Sequence, residues 1–327
     1  MPLAIARKVG WLLLSTLLNG ALLSGCGRST TVEVPVAGWP GYEYFFLAQE
    51  KQLGKPQQLT IKALEFADPQ EITEAYAQSK INIAQITTVE AVNLCARVPA
   101  RCPVVVLILN ESRGGDMVLV RPEIGSLAGL RNKRVGISPS SLGPFVLSRA
   151  LAREGMTLAD VRVVAIPLTA AGPRLVSGEL DGVALYPPFS DELIQRGLAV
   201  EVFNSTEIPG EIFDVLVVDP TFYSQNTALL GRLLKVWQAA HDLARRDPEA
   251  ATAIMGAREQ ISGQSFLNSE KGLVYFPLAE QQRLLAPQGP LERNLEAVQA
   301  VQRQLGLIRG TPALPRVSLE PLRQALP

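Results

Sequence analysis

Short apolar runs alternate with helix-periodic stretches along most of this chain, and that alternation limits the fold more than any other feature. A chain that repeats strand, helix, strand has to bury its strands between helices, which gives an α/β fold of mainly parallel sheets. The run VVVLIL at 104–109 is apolar at every position, as in a strand covered on both faces. Strands are therefore expected at 32–36, 59–64, 81–86 and 104–109, with helices over 42–52, 69–78 and 87–97. A second series places strands at 117–120, 134–137, 160–166, 181–185 and 200–203, and helices at 142–154, 171–177 and 191–196. A strand at 212–218 follows. Beyond it, Leu229, Leu230, Leu233, Leu234, Trp237, Ala240 and Leu243 recur at helical spacing over 227–246. Asp247-Pro248 opens another helix, and the Pro-rich tail from Pro312 is expected to wrap the surface.

The chain is expected to cross into the second series near 111–116 and to return near 208–214. Two lobes follow, 32–113 with 212–327 and 114–211, each a mainly parallel sheet flanked by helices. Length agrees, because a single core stops growing well before about 300 residues. Small-molecule sites favour the gap between such units and the carboxyl ends of their strands, so the topology points to a binder.

The N-terminus speaks to compartment. Arg7 and Lys8 precede an apolar stretch at 11–23 interrupted by Ser15, Thr16, Asn19 and Gly20, which reads as a secretory signal over 1–25. It is too short for a spanning helix of ~20 apolar residues; a buried N-terminal helix is the alternative. Leu23-Ser24-Gly25-Cys26 looks like the bacterial lipobox, which implies cleavage before Cys26 and lipidation of that cysteine. Residues 26–31 then form a tether, and the protein sits on the periplasmic or extracytoplasmic face, held to the membrane by lipid alone. Cys95 and Cys102 remain. In an oxidising compartment they are expected to bridge, closing a small loop worth about 2.5 kcal/mol; two buried free thiols are the alternative.

Charge and composition exclude other classes. Lys plus Arg and Asp plus Glu number 31 each, and loss of Arg7 and Lys8 leaves the mature part near −2, with no basic excess for nucleic acid. His241 is the one histidine, and no Cys/His cluster exists, so neither a metal site nor a cofactor is expected. His241 itself reads as a helix-packing or solvent-facing residue. No phosphate loop of the Walker type occurs.

Several stretches, in consistent order over about 32–260, resemble the periplasmic binding proteins of the nitrate/sulfonate/taurine/thiamine-precursor family. They are GWPGYEYFFLAQEKQLG (38–54), SKINIAQITTVEAVNLCA (79–96), ESRGGDMVLVRPEIGSLAGLRNKRVGIS (111–138), DGVALYPP (181–188) and STEIPGEIFDVLVVD (205–219). The resemblance implies the two-lobed fold of type II, with two hinge crossings. It also implies the activity: a monomer captures an unmodified small solute and hands it to an ABC permease whose ATPase is a separate chain. The solute would be a small organic or anionic compound, whether sulfonate, nitrate, amine or pyrimidine-like. A sensor lipoprotein that presents its closed form to a receptor, and a thiamine-pyrimidine-type enzyme on the same fold, are the alternatives.

The loops after the strands supply the candidate site. Trp39 and Tyr42 form an aromatic wall, or cover the first helix instead. Thr87 and Thr88 precede a helix and offer hydroxyls and free backbone N–H groups to an anion, although Thr88 also suits a helix cap. Asn110 and Ser112 come next. Asp116 is placed either to pair with an amine or to fix Arg113 or Gly115 in the hinge. Ser138, Ser140 and Ser141 precede the helix from Leu142, so two helix N-termini facing one cleft would favour a carboxylate or sulfonate. Tyr186 completes the set. Relatives carry Glu near position 138 and at 186; their absence here speaks against a cationic ligand.

Overall fold

A computed structural model describes residues 29–326 of the protein. The expected signal peptide at 1–25, the lipid-bearing Cys26 and the start of the tether lie outside the described residues. The end of that tether is already strand. Thr30 and Thr31 open β1 (Thr30–Val36), because a β-branched run pairs in parallel with β2 (Leu59–Glu65). Between them lies α1 (Tyr44–Glu50), entered through a short 3-10 turn at Pro40–Tyr42.

Next come α2 (Pro69–Ala77), β3 (Ile83–Thr87), α3 (Thr88–Arg97) and β4 (Val104–Ser112). Beyond the first crossing the chain forms β5 (Met117–Val120), β6 (Arg134–Ile137), α4 (Leu142–Ala152), β7 (Arg162–Ala165), α5 (Leu168–Val176), β8 (Gly182–Leu185), α6 (Asp191–Gln195) and β9 (Val200–Asn204). After the second crossing come β10 (Phe213–Val218), α7 (Pro220–Arg246), α8 (Pro248–Arg258), α9 (Gly263–Ser269), β11 (Leu273–Val274), α10 (Leu278–Leu284), α11 (Pro290–Gln304), β12 (Arg316–Val317) and α12 (Glu320–Ala325).

Three sheets result. β1 and β2 form one pair; β11-β4-β10-β3 form a second, with β12 beside β4; β7-β6-β8-β5-β9 form a third. The third takes all its strands from residues 117–204, so the fold is two-lobed α/β with two crossings. Pro35 gives β1 no N–H for a ladder toward β3, and the Gln85 amide of β3 instead donates to Pro35 O at 2.7 Å.

The expectation of mainly parallel sheets is corrected. β6 pairs in parallel with β7 and β8, and β12 with β4. Each strand that follows a crossing is inserted antiparallel to both neighbours: β5 between β8 and β9, and β10 between β3 and β4. A strand arriving from the other lobe enters its new sheet against the direction set by the local strand–helix units. That reverses it.

The crossings are tied together. Ser205 N donates to Asp116 O at 2.8 Å, and the Ser112 and Ser205 hydroxyls lie 2.8 Å apart. Gly114 takes φ +112°, a backbone open to glycine, and its N–H reaches Ser205 Oγ at 2.7 Å. Arg113 pairs with Glu111, not with Asp116, and Glu111 also accepts from Gly210 N on the return crossing at 2.7 Å. The 227–246 helix begins earlier than its periodicity indicates, at Pro220. Asp219 caps it through Thr221 N and Phe222 N, and the chain kinks at Asn226. Its expected apolar face, with Leu230, Leu233, Leu234, Trp237 and Ala240, is buried.

Cys95 and Cys102 are bridged, tying α3 to the segment before β4. His241 is buried in helix packing, stacked on Tyr44 with ring centres 3.5 Å apart, and burial holds its pKa well below the ordinary value. The tail wraps as expected: β12 joins β4, and Arg316 lies over the Tyr223 ring at 4.5 Å.

Candidate functional site

A narrow cleft opens where segments of both lobes converge. From the first lobe come Trp39 and Tyr42 after β1, Asp68, Pro69 and Gln70 at the start of α2, Thr87 and Glu90 at the start of α3, and Asp214 on β10. From the crossing and the second lobe come Asp116, Ser138, Ser140, Leu142 and Tyr186.

Trp39 and Tyr42 both line the cleft and hold its floor. Tyr42 donates its hydroxyl to Asp214 Oδ1 at 2.6 Å, and Trp39 Nε1 donates to Asp214 Oδ2 at 3.1 Å. Trp39 also meets Tyr186 of the other lobe edge to face, with centroids 5.1 Å apart. Behind them, Gly41 lies so close to Asn110 that a Cβ there would come within 2.1 Å of Asn110 Nδ2. Asn110 is thus a buried support beneath the aromatic loop, off the cleft lining, with neither amide atom bonded.

The first helix N-terminus does not present free donors. Thr87, not Thr88, is the cap of α3: its hydroxyl accepts from Glu90 N while the Glu90 carboxylate accepts from Thr87 N and Oγ1. The carboxylate of Glu90 therefore occupies the place an anion would take. Thr88 is buried behind it, its hydroxyl without a partner. Ser112 is spent in the hinge, on Ser205 and Asp116 N. Ser138 and Ser140 line the cleft, whereas Ser141 faces a separate groove at its mouth, beside Glu74 and Arg97. Asp116 does not fix Arg113, which pairs with Glu111; its backbone oxygen accepts from Ser205 N in the crossing and its side chain lines the cleft.

Three acids that the sequence reading passed over dominate the electrostatics: Asp68, Glu90 and Asp214. Two of them look ordinary in sequence. Asp68 is an N-cap before Pro69, accepting from Gln70 N; Glu90 completes a Thr-x-x-Glu capping box; only Asp214, a charge inside an apolar strand, stands out. Burial pushes Asp214 well above the carboxylate range, against the donors Tyr42 and Trp39, and nearby Asp116 and Glu90 push it further. Burial raises Glu90 to about 7, opposed by Thr87 and reinforced by Asp68 and Asp116. Burial also raises Asp116 to about 6, opposed by the Ser112 hydroxyl, and raises Asp68. The lining contains no lysine, arginine or histidine. The cleft is thus acidic without Glu at 138 or 186.

A buried strut sets the aromatic loop. Glu43, fully buried, receives the Nε and Nη2 donors of Arg258, which also donates to Ala37 O at 2.9 Å. Burial lifts Glu43 to about 7 against the pull of Arg258.

Comparison with known proteins fits this architecture. Residues 39–251 match the family described as NMT1/THI5 like. A Brucella abortus protein described as a binding protein is 23% identical over 159 residues, 48% of this chain and 50% of the relative. The chain thus spans about half the length of the curated relatives it matches. The alkanesulfonate-binding protein SsuA from Xanthomonas axonopodis pv. citri, bound to MOPS, superposes with a TM-score of 0.72 at 16% identity, covering 88% of this chain and 98% of that one. The desulfurization enzyme DSZB superposes with a TM-score of 0.65 at 19% identity, covering 90% and 98%. The shared fold is clear in both.

Proposed function

The chain belongs to the NMT1/THI5-like family, and from that premise we propose that it is an extracytoplasmic solute-binding lipoprotein serving an ABC importer. It captures one small solute between lobes 32–113 with 212–327 and 114–211, then presents the closed form to a permease powered by a separate ATPase chain. The observation that carries this reading is the cleft itself, walled by both lobes at the point where two tied crossings join them. A gap between lobes is a place that small-molecule sites favour. Its ligand contacts are assigned to Trp39, Tyr42, Thr87, Asp116, Ser138, Ser140 and Tyr186, with Thr88, Asn110, Ser112 and Ser141 supporting them.

Export and anchoring through Cys26 complete the reading; the Cys95–Cys102 bridge supports an oxidising compartment. The DSZB likeness raises the enzyme alternative. Against it, the cleft lining holds neither a cysteine nor a histidine to serve as nucleophile or base. The test is direct. Solute released from the purified protein is identified by mass spectrometry, then added back during small-angle scattering of the stripped protein. Compaction on addition, by closure about the crossings, is expected. A protein that carries no solute and keeps one scattering profile with every compound tried is not a solute-binding protein.

A further inference from the structure

We propose that the cleft selects an organic cation, a small ammonium or amidinium carried on a flat or apolar body, instead of a sulfonate-type anion. The inference deepens the solute-binding reading above and rests on it.

Four carboxylates line one small enclosed space: Asp68, Glu90, Asp116 and Asp214. Among the described residues, none of the four is in an ion pair. Several buried acids elsewhere are matched: Asp219 has Arg101, Asp181 has Arg121 and Arg134, and Glu43 has Arg258. Glu270, outside the cleft, has only the Tyr44 and Tyr275 hydroxyls, but four unmatched carboxylates gathered around one space mark the cleft as a place that awaits a positive partner.

One side chain points the same way independently of the charge count. Tyr186 is 8% exposed and lines the cleft, yet its hydroxyl makes no hydrogen bond within the described residues. Asp116, 3% exposed, also faces the cleft without a cationic partner. A hydroxyl and a carboxylate lining one acceptor-rich space fit a donor group such as ammonium, whose hydrogens all point outward. The aromatic surfaces of Trp39 and Tyr186 cover the remainder and attract cations at their faces.

An anion finds no comparable welcome. It would be a further negative charge among acids, without a lysine, arginine or histidine in the lining. Of the two expected anion cradles, the α3 N-terminus is filled by Glu90, while the α4 N-terminus at Ser141 has no side-chain cap but faces the same four acids. The partial positive end of a helix cannot serve two anions at once.

The experiment uses the full chain and named probes. Benzylamine and benzamidine are the cations, benzyl alcohol the neutral match, and ethanesulfonate and nitrate the anions. Calorimetric titration near pH 8 is expected to show binding of a cation probe, roughly thirtyfold or more tighter than benzyl alcohol, and none of either anion. Asp116→Asn should weaken cation binding by a similar factor while the unliganded protein melts no lower than wild type; Asp214→Asn is the second variant. The solute recovered from purified protein should carry a positive charge. Binding of ethanesulfonate or nitrate in place of the cations, or recovery of an anionic solute, would overturn the cation assignment and leave the solute-binding reading standing. If no probe of any charge binds and no solute is recovered, both fail together.

Discussion

Glu90→Gln is the most informative single substitution. Glutamine keeps the capping box, because its side-chain oxygen can still accept from the Thr87 backbone, and it nearly preserves volume. What it removes is a charge in a fully buried, acid-crowded position. A folded-state pKa of about 7, against an ordinary 4.5, means that ionising Glu90 in the empty cleft costs about 3 kcal/mol at roughly 1.4 kcal/mol per pH unit. The direction follows from proton binding. The folded state holds its proton more tightly, so this stabilisation is complete below about pH 4.5 and is lost as pH rises through 7. Wild type should therefore lose stability over that window, and Glu90→Gln should not. At pH 8 the variant should be more stable by about 3 kcal/mol, about 5–10 °C in Tm for a chain of this size, and indistinguishable at pH 4.5. Thermal melts of the unliganded proteins from pH 4.5 to 8.5 measure this. Parallel curves, or a variant less stable at pH 8, would refute the claim that Glu90 is an uncompensated buried acid.

Three further outcomes follow from the same chemistry. Affinity for a permanently charged probe, benzyltrimethylammonium, should rise from pH 5 to 8 by up to about tenfold per pH unit per proton released, since Glu90 at about 7 and Asp116 at about 6 must ionise to hold it. The groups facing that probe are Asp68, Asp214, Tyr42 and Tyr186, with Glu74 and Arg97 at the mouth, and titration at fixed ionic strength over this range tests it. Arg258→Met should cost about 3–5 kcal/mol in urea unfolding at pH 8, because it strands Glu43 without a counter-charge; the loss should shrink at pH 5.5, where Glu43 takes a proton. Equal losses at both pH values would show that the pair is not what Arg258 contributes. Reduction of Cys95–Cys102 should lower stability by about 2.5 kcal/mol, read from melts with and without reductant.

The succession of elements was legible because each carries its own period: the strands at 117–120 and 134–137 fall on β5 and β6 as expected, and most other boundaries move by one to three residues. Strand direction was not legible, since β5 and β10 take their orientation from which sheet they join rather than from anything in their own residues. The helices after α8 went unread, although Leu291, Leu295 and Val298 recur at helical spacing on α11. In the site, aromatic and hydroxyl residues after strands were readable as candidates, but Asp68 and Glu90 do local capping work that hides a second role. Their approach to Asp214 depends on the insertion of β10 beside β3, which pairs Asp214 with Thr87 and which no local spacing encodes. Trp39 and Tyr42 also proved more deeply built in than a cleft wall requires. They brace Asp214, so truncation to alanine costs folding as well as binding; Trp39→Phe, which deletes the bond to Asp214 alone, is the cleaner probe.

The stretch from 117 to 204 starts and finishes at one spot, where Ser205 is bonded to Asp116. It is a cassette, joined to its host at neighbouring points, and it contributes Ser138, Ser140, Leu142 and Tyr186 to the cleft. The acids Asp68, Glu90 and Asp214 all belong to the host, with Asp116 at the seam. Exchanging the cassette would recut the shape of the chamber and leave those four acids in place. The acidic floor is thus fixed by one length of chain while the facing wall can be replaced in another.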